Sequence, residues 1–125
     1  MTDLFSDFNA TFRLLVLDAV MDDYEDIPII YRDLSQFCEG MGRQITILDV
    51  EEALRTLIAE SLVNVFRPDQ RSNIMERQSS SSFGFETDVS RVYFFRSQSG
   101  KKVIESLPED WFDSINSRFT LSSEE

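Results

Sequence analysis

Asp49-Val50-Glu51-Glu52-Ala53-Leu54-Arg55-Thr56-Leu57-Ile58-Ala59-Glu60-Ser61-Leu62-Val63 is the stretch whose reading decides the fold. Val50, Ala53, Leu54, Leu57 and Ile58 recur three and four residues apart, which sets them on one face of a helix. Asp49 and Glu52, three apart at the start, make a capping-box-like pair with Asp in the place of the usual Ser or Thr. At Leu62 the period changes. Leu62-Val63-Asn64-Val65-Phe66-Arg67 is β-branched and aromatic, the content of a strand.

Two more helices precede this pair. Phe8, Phe12, Leu15, Val16, Ala19 and Val20 have helical spacing and predict a helix over Asn9–Asp22. Leu14, Leu17 and Met21 widen its apolar stripe, which suits a helix that is central or at a subunit contact. Asp26-Ile27-Pro28-Ile29 is a start signal with proline in the first turn. Ile30, Leu34, Phe37 and Cys38 continue that second helix, and Gly40 and Gly42 end it. Ile45-Thr46-Ile47, short and β-branched, reads as a strand stub.

Downstream, Gln70 to Ser90 is polar and includes Ser79-Ser80-Ser81-Ser82, so a long loop is expected. Val92-Tyr93-Phe94-Phe95 is a second strand, and the two strands predict a hairpin with an extended tip. Ser97 caps a fourth helix with Val103, Ile104 and Leu107 inward. Past Pro108, Trp111, Phe112, Ile115 and Phe119 form one more helical stripe, before a polar tail at Leu121–Glu125. The stripe either closes its own core or pairs with a second subunit.

The order helix, helix, strand stub, helix, strand, loop, strand, helix resembles a winged helix-turn-helix domain. Two local sequences carry the likeness to bacterial regulators of the MarR and PadR kinds. The stretch ending in Ser61-Leu62-Val63 is similar to a recognition helix entering the first wing strand, with Ser61 where glycine is frequent. Phe94-Phe95-Arg96-Ser97-Gln98-Ser99-Gly100-Lys101-Lys102 is similar to the Tyr-x-Leu-Thr-x-x-Gly-Lys/Arg turn after the second wing strand. Ser97 matches the threonine and Gly100 the glycine, while Arg96 replaces an apolar residue. The resemblance implies an α+β, mostly helical winged helix: a three-helix core, a two-stranded β-wing hairpin and an additional C-terminal helix or helices. It would span residues 1–107 with the wing loop at about 68–90, and residues 108–125 would form a helical extension of the same domain or a dimer interface.

Composition narrows the chemistry. The 125 residues include 23 acids and 12 bases, a net charge of −11, with no histidine and one cysteine, Cys38. Without histidine there is no Ser-His-Asp triad or Cys-His pair. One cysteine makes neither an intrachain disulfide nor a Cys₄ zinc or iron–sulfur site. No metal or cofactor is expected, and the domain is read as non-catalytic. A carboxylate enzyme is the one catalytic alternative the composition leaves. Cys38, on an apolar stripe, reads as a buried small hydrophobe, and the resemblance to winged-helix regulators implies a redox-sensing thiol as the alternative. Asp18, Asp22, Asp23, Glu25 and Asp26 cluster without the spacing of an EF-hand loop, so they read as a solvated patch or a face for a basic partner. The acidic start is unlike a secretory leader, no apolar run reaches the roughly 20 residues of a membrane span, and the expected location is cytoplasmic.

Charge then divides the chain. Residues 67–104 hold seven bases and four acids, whereas residues 1–66 hold 13 acids and four bases. The resemblance implies a third helix in the DNA major groove and wing residues on phosphate. The expected outer face of that helix, Glu51, Glu52, Arg55, Thr56, Ala59 and Glu60, sets three acids against one base, and carboxylates repel phosphate. A transcriptional-regulator-like role would therefore touch duplex DNA through Arg55, Thr56, Arg71, Arg77, Arg91, Lys101 and Lys102, mainly from the wing. The alternative is a protein-interaction module that uses Glu51 and Glu52, with no DNA contact. A homodimer is expected through the first and last helices, including Trp111, Phe112, Ile115 and Phe119.

Overall fold

The computed structural model describes residues 8–40, 42–69, 71–72, 74–78, 92–111, 113 and 115. The chain is α+β and mostly helical. Its elements run α1 (Phe8–Ala19), α2 (Ile27–Gly40), α3 (Ile47–Ala59), β1 (Val63–Pro68), β2 (Met75–Gln78), β3 (Tyr93–Arg96) and α4 (Gln98–Glu105).

α1 is the central helix. Thr11, Phe12, Leu15, Val16 and Leu17 are buried along it, and α2, α3 and α4 all pack on it. The wide stripe is thus largely covered within one chain. α2 begins where the Asp26 carboxylate accepts the Ile29 N–H at 3.0 Å. It buries Ile27, Ile30, Leu34 and Cys38. α3 buries Val50, Ala53, Leu54 and Leu57, at about 1.5–3 kcal/mol for each larger apolar side chain. Trp111 and Ile115, helical in backbone, close the same core at 7% and 0% exposure.

Two helix ends share one solution. At the end of α2, Gly42 has φ 75°, its N–H reaches the Glu39 carbonyl and the Arg43 N–H reaches Cys38. At the end of α3, Ser61 has φ 62°, its N–H reaches Ile58 and the Leu62 N–H reaches Leu57. Both are Schellman motifs, which require a left-handed residue at the stop. Gly40 lies inside α2 and Gly42 alone is the stop.

Three sequence expectations change. Ile45-Thr46-Ile47 forms no strand, because Thr46 is the N-cap of α3 and Ile47 its first residue. The capping box is Thr46 with Asp49: the hydroxyl accepts the Asp49 N–H at 3.2 Å and the carboxylate accepts the Thr46 N–H at 2.8 Å. Asp49 is therefore the third residue of the helix and not its cap. The first helix stops at Ala19 and not at Asp22, since the Val20 carbonyl accepts the Arg96 N–H.

The sheet has three antiparallel strands in the order β2-β1-β3, in place of a two-stranded wing. β2 arises inside the polar stretch expected to be loop. Its residues pair with β1 in the register Val65↔Gln78 to Pro68↔Met75, and β3 pairs on the other side from Val63↔Arg96 to Phe66↔Tyr93. Glu25, between α1 and α2, bridges Phe94 and protects the outer edge of β3. Val63, Val65 and Phe94 face the core. On the opposite side Tyr24, Phe66 and Phe95 form a small aromatic cluster, with Tyr24 4.9 Å from Phe66 and 5.1 Å from Phe95 between ring centroids.

Candidate functional site

The inward set of α3 leaves a stripe on its far side. Leu48, Glu52, Arg55 and Ala59 are exposed at spacings of four, three and four residues, which makes them one line along the helix. Glu51 and Thr56 flank it half-buried, and Glu60 is exposed at its end. Among the described residues the large exposed apolar side chains are Ile47 at 47%, Leu48 at 60% and Ile74 at 66%. Two of the three sit in the first turn of α3, beside Asp49, Glu51 and Glu52. An isolated exposed leucine needs no explanation, but two adjacent apolar side chains in a turn that also carries carboxylates form an amphipathic surface. Reading Ile45–Ile47 as a strand stub hid this apolar pair, and the Thr46-x-x-Asp49 spacing was the signal that could have found it.

Beside this stripe lies a cleft of about 510 Å³ walled by Phe12, Arg13, Arg43, Asp49, Glu52 and Thr56, among others. The Arg43 guanidinium stands 4.5 Å over the Phe8 ring at its margin. A second cleft, about 380 Å³, lies where the end of α3 meets the sheet, between Ile58, Ser61, Asn64, Arg77 and Gln78.

The expected nucleic-acid residues lie on different elements, and Arg77 lines the cleft at the end of α3. Arg55 and Thr56 are on α3, exposed and half-buried respectively. Arg71 and Arg77 are exposed on the β1–β2 hairpin at one edge of the sheet. Lys101 and Lys102 are on α4, which packs on β3 at the other edge, and Lys101 is engaged by Glu105 at 3.9 Å. Arg91 lies outside the described residues. Of the other bases in that block, Arg67 faces Glu76 across the strand pair and Arg96 lies 4.7 Å over the Phe95 ring. Of the expected interface residues, Glu51 and Glu52 are on the α3 surface. Trp111 and Ile115 are buried in the core of the same chain, and Phe112 and Phe119 lie outside the described residues.

Asp69 gathers several hydrogen bonds at the end of β1. The Asp69 carboxylate accepts the Arg71 N–H at 3.2 Å, the Ser72 N–H at 3.0 Å and the Ser72 hydroxyl at 2.9 Å. The Asp69 N–H closes the turn on the Ile74 carbonyl at 2.8 Å. These hydrogen bonds, those from Ser72 first, hold the Asp69 carboxyl below its ordinary pKa.

Titratable groups elsewhere have structural explanations. Burial pushes the Cys38 thiol up to about 11, against the pull of Arg43 and with Asp49 adding to the rise. That is the opposite of the thiolate stabilisation a redox sensor needs. Burial, aided by Asp22, raises Asp18. Burial, aided by Asp23, Asp33 and Asp26, raises Glu25, and Arg32 opposes it. Neither acid lines either cleft. Among the described residues no group of three or more acids or cysteines is placed to hold a metal ion, and no helix is long and apolar enough to cross a membrane.

Comparison with known proteins gives no relative to lean on: no family model, no curated protein and no solved structure matches this chain.

Proposed function

We propose that this chain is a non-catalytic domain of winged-helix architecture whose third helix docks a protein partner through its amphipathic, acidic face. The observation that carries the reading is the exposed first half of α3, where Ile47 and Leu48 stand among Asp49, Glu51 and Glu52 with Arg55 as the one base of the stripe. A surface that reads duplex DNA draws its affinity from cations on phosphate. Exposed apolar side chains beside carboxylates suit a basic, amphipathic protein segment instead. The architecture is supported by the order of three helices, strands and a further helix, and by the Glu25 bridge that brings the α1–α2 connection beside β3.

Duplex contact through the wing is the competing reading, favoured by the exposure of Arg71 and Arg77 on one hairpin. One experiment separates the two. A labelled helical peptide of leucine and arginine, with its leucines on one face, is titrated with the full chain, and a labelled duplex is titrated in parallel at low salt. Peptide binding that weakens at least about tenfold in the Glu51→Lys/Glu52→Lys variant supports docking. Tight duplex binding that is abolished by Arg71→Ala/Arg77→Ala and indifferent to the α3 substitutions overturns it.

A further inference from the structure

The cleft between α1 and α3 holds opposite charges that face one space without meeting. α1 supplies Phe12 and Arg13 to one wall, α3 supplies Asp49, Glu52 and Ala53 to the other, and Arg43 comes from the turn between α2 and α3. Phe12, Ala53 and Ile45 are buried, so the floor is apolar. Two of the four charges are already engaged. The Asp49 carboxylate accepts the Thr46 N–H at 2.8 Å, and the Arg43 guanidinium lies over the Phe8 ring. Arg13, half-buried, and Glu52, exposed, make no ion pair among the described residues. A cation and a carboxylate thus line the same cleft of about 510 Å³, too far apart to pair with each other.

We propose that this cleft binds a free α-amino acid with a large apolar side chain, its carboxylate on Arg13 and its ammonium on Glu52. Charge balance is the first argument. The chain carries a net −11, yet the charged lining of the cleft, Arg13, Arg43, Asp49 and Glu52, sums to zero. A simple anion would leave Glu52 unmatched and meet the field of an acidic chain, and a simple cation would leave Arg13 unmatched. A zwitterion answers both at once. Donor chemistry is the second argument. A guanidinium fork takes a carboxylate through two parallel hydrogen bonds, and a carboxylate oxygen accepts from an ammonium. Size is the third. The volume falls within the range of about 300–1,000 Å³ common to small-ligand sites, where an apolar floor covers the ligand's side chain and a few polar groups orient it. The site goes beyond the docking reading: it shares Glu52 with the α3 face, but Arg13 on α1 belongs to the cleft alone.

The probe is L-phenylalanine, titrated into the full isotope-labelled chain and followed by amide chemical shifts. Saturable binding is expected with a dissociation constant of roughly 0.1–1 mM. N-acetylation of the probe removes its ammonium and amidation removes its carboxylate, and each should weaken binding at least about tenfold. Crossing these ligands with two variants identifies the contacts. Arg13→Gln should weaken the free amino acid at least about tenfold and leave the amide unchanged, because the amide has no carboxylate to lose a partner. Glu52→Gln should weaken the free amino acid equally and leave the N-acetyl derivative unchanged. A variant that weakens all three ligands alike, as a structural role would, overturns the proposal. So does an N-acetyl derivative that binds as tightly as the free amino acid, or no saturable binding of the probe up to about 20 mM. The leucine–arginine peptide keeps the two readings apart, since Arg13→Gln should leave its binding unchanged. Amino-acid binding that fails while the peptide still binds removes this proposal alone. A peptide that fails while the crossed pattern holds removes only the docking reading and supports the cleft.

Discussion

Ser61 holds a β-carbon at φ 62°, where an L-residue is disfavoured by about 1–2 kcal/mol. Replacing it with glycine relieves that cost, partly offset by the greater freedom glycine has in the unfolded chain, about 0.4–1 kcal/mol. Ser61→Gly is therefore expected to stabilise by roughly 0.5–1 kcal/mol, seen as a higher urea midpoint at unchanged slope. Gly100 has the opposite requirement. An added β-carbon would overlap the Leu62 carbonyl and press on the Leu17 side chain. Gly100→Ala should lose about 1–3 kcal/mol by overpacking. A neutral result at Gly100 would contradict the close approach of α4 to the α3–β1 turn. The two residues belong to one contact: the Ser97 hydroxyl donates to the Ser61 carbonyl at 2.7 Å and accepts the Gly100 N–H at 3.0 Å. The two stretches that carry the winged-helix resemblance are thus the two sides of a single junction.

At the scale of the element, α3 decides both packing and surface. Its start is set by a reciprocal pair, so Thr46→Ala should cost about 1 kcal/mol even though the side chain is exposed. Glu52→Ala, which the alternative frame of the capping box would make equally damaging, should stay within about 0.5 kcal/mol. Equal losses at the two positions in thermal melts would mean that the helix begins at Asp49. The frame matters beyond stability, because starting the helix at Ile47 is what puts Ile47 and Leu48 on a helical surface above Glu51 and Glu52.

For the whole molecule the strongest expectation concerns pH. Asp18 and Glu25 have pKa values raised on folding, so between the unfolded and folded values the native state binds more protons than the unfolded chain. Stability then falls as pH rises through that window, and the charged forms carry the cost at neutral pH. Asp69 is lowered and behaves oppositely: its contribution is present above the ordinary carboxylate value and is lost only below it. The thermal midpoint should accordingly fall as pH rises from just above the ordinary carboxylate range toward neutrality, and should also drop in stronger acid. Asp18→Asn should raise the midpoint at about pH 7.5 and change it little at about pH 4. A midpoint that climbs steadily from acid to neutral pH would refute this assignment.

The sequence by itself determined the helical faces, the two strands β1 and β3 and the α3–β1 junction. Each depends on side-chain period and local backbone preference, which neighbours in the chain report. It also determined the acid-rich outer surface of α3, since burying Val50, Leu54 and Leu57 leaves Glu52 and Arg55 outward. β2 was not legible, because Met-Glu-Arg-Gln has no β-branched or alternating apolar pattern and becomes a strand only by pairing with β1. The placement of Trp111 and Ile115 was likewise open, as a stripe of apolar residues reads the same whether its own core or another subunit covers it. Tertiary structure decided those points, and it set the basic residues on separate elements as well. Where a cation of a hairpin or a helix comes to lie depends on which edge of the sheet its element joins, and long-range pairing fixes that edge.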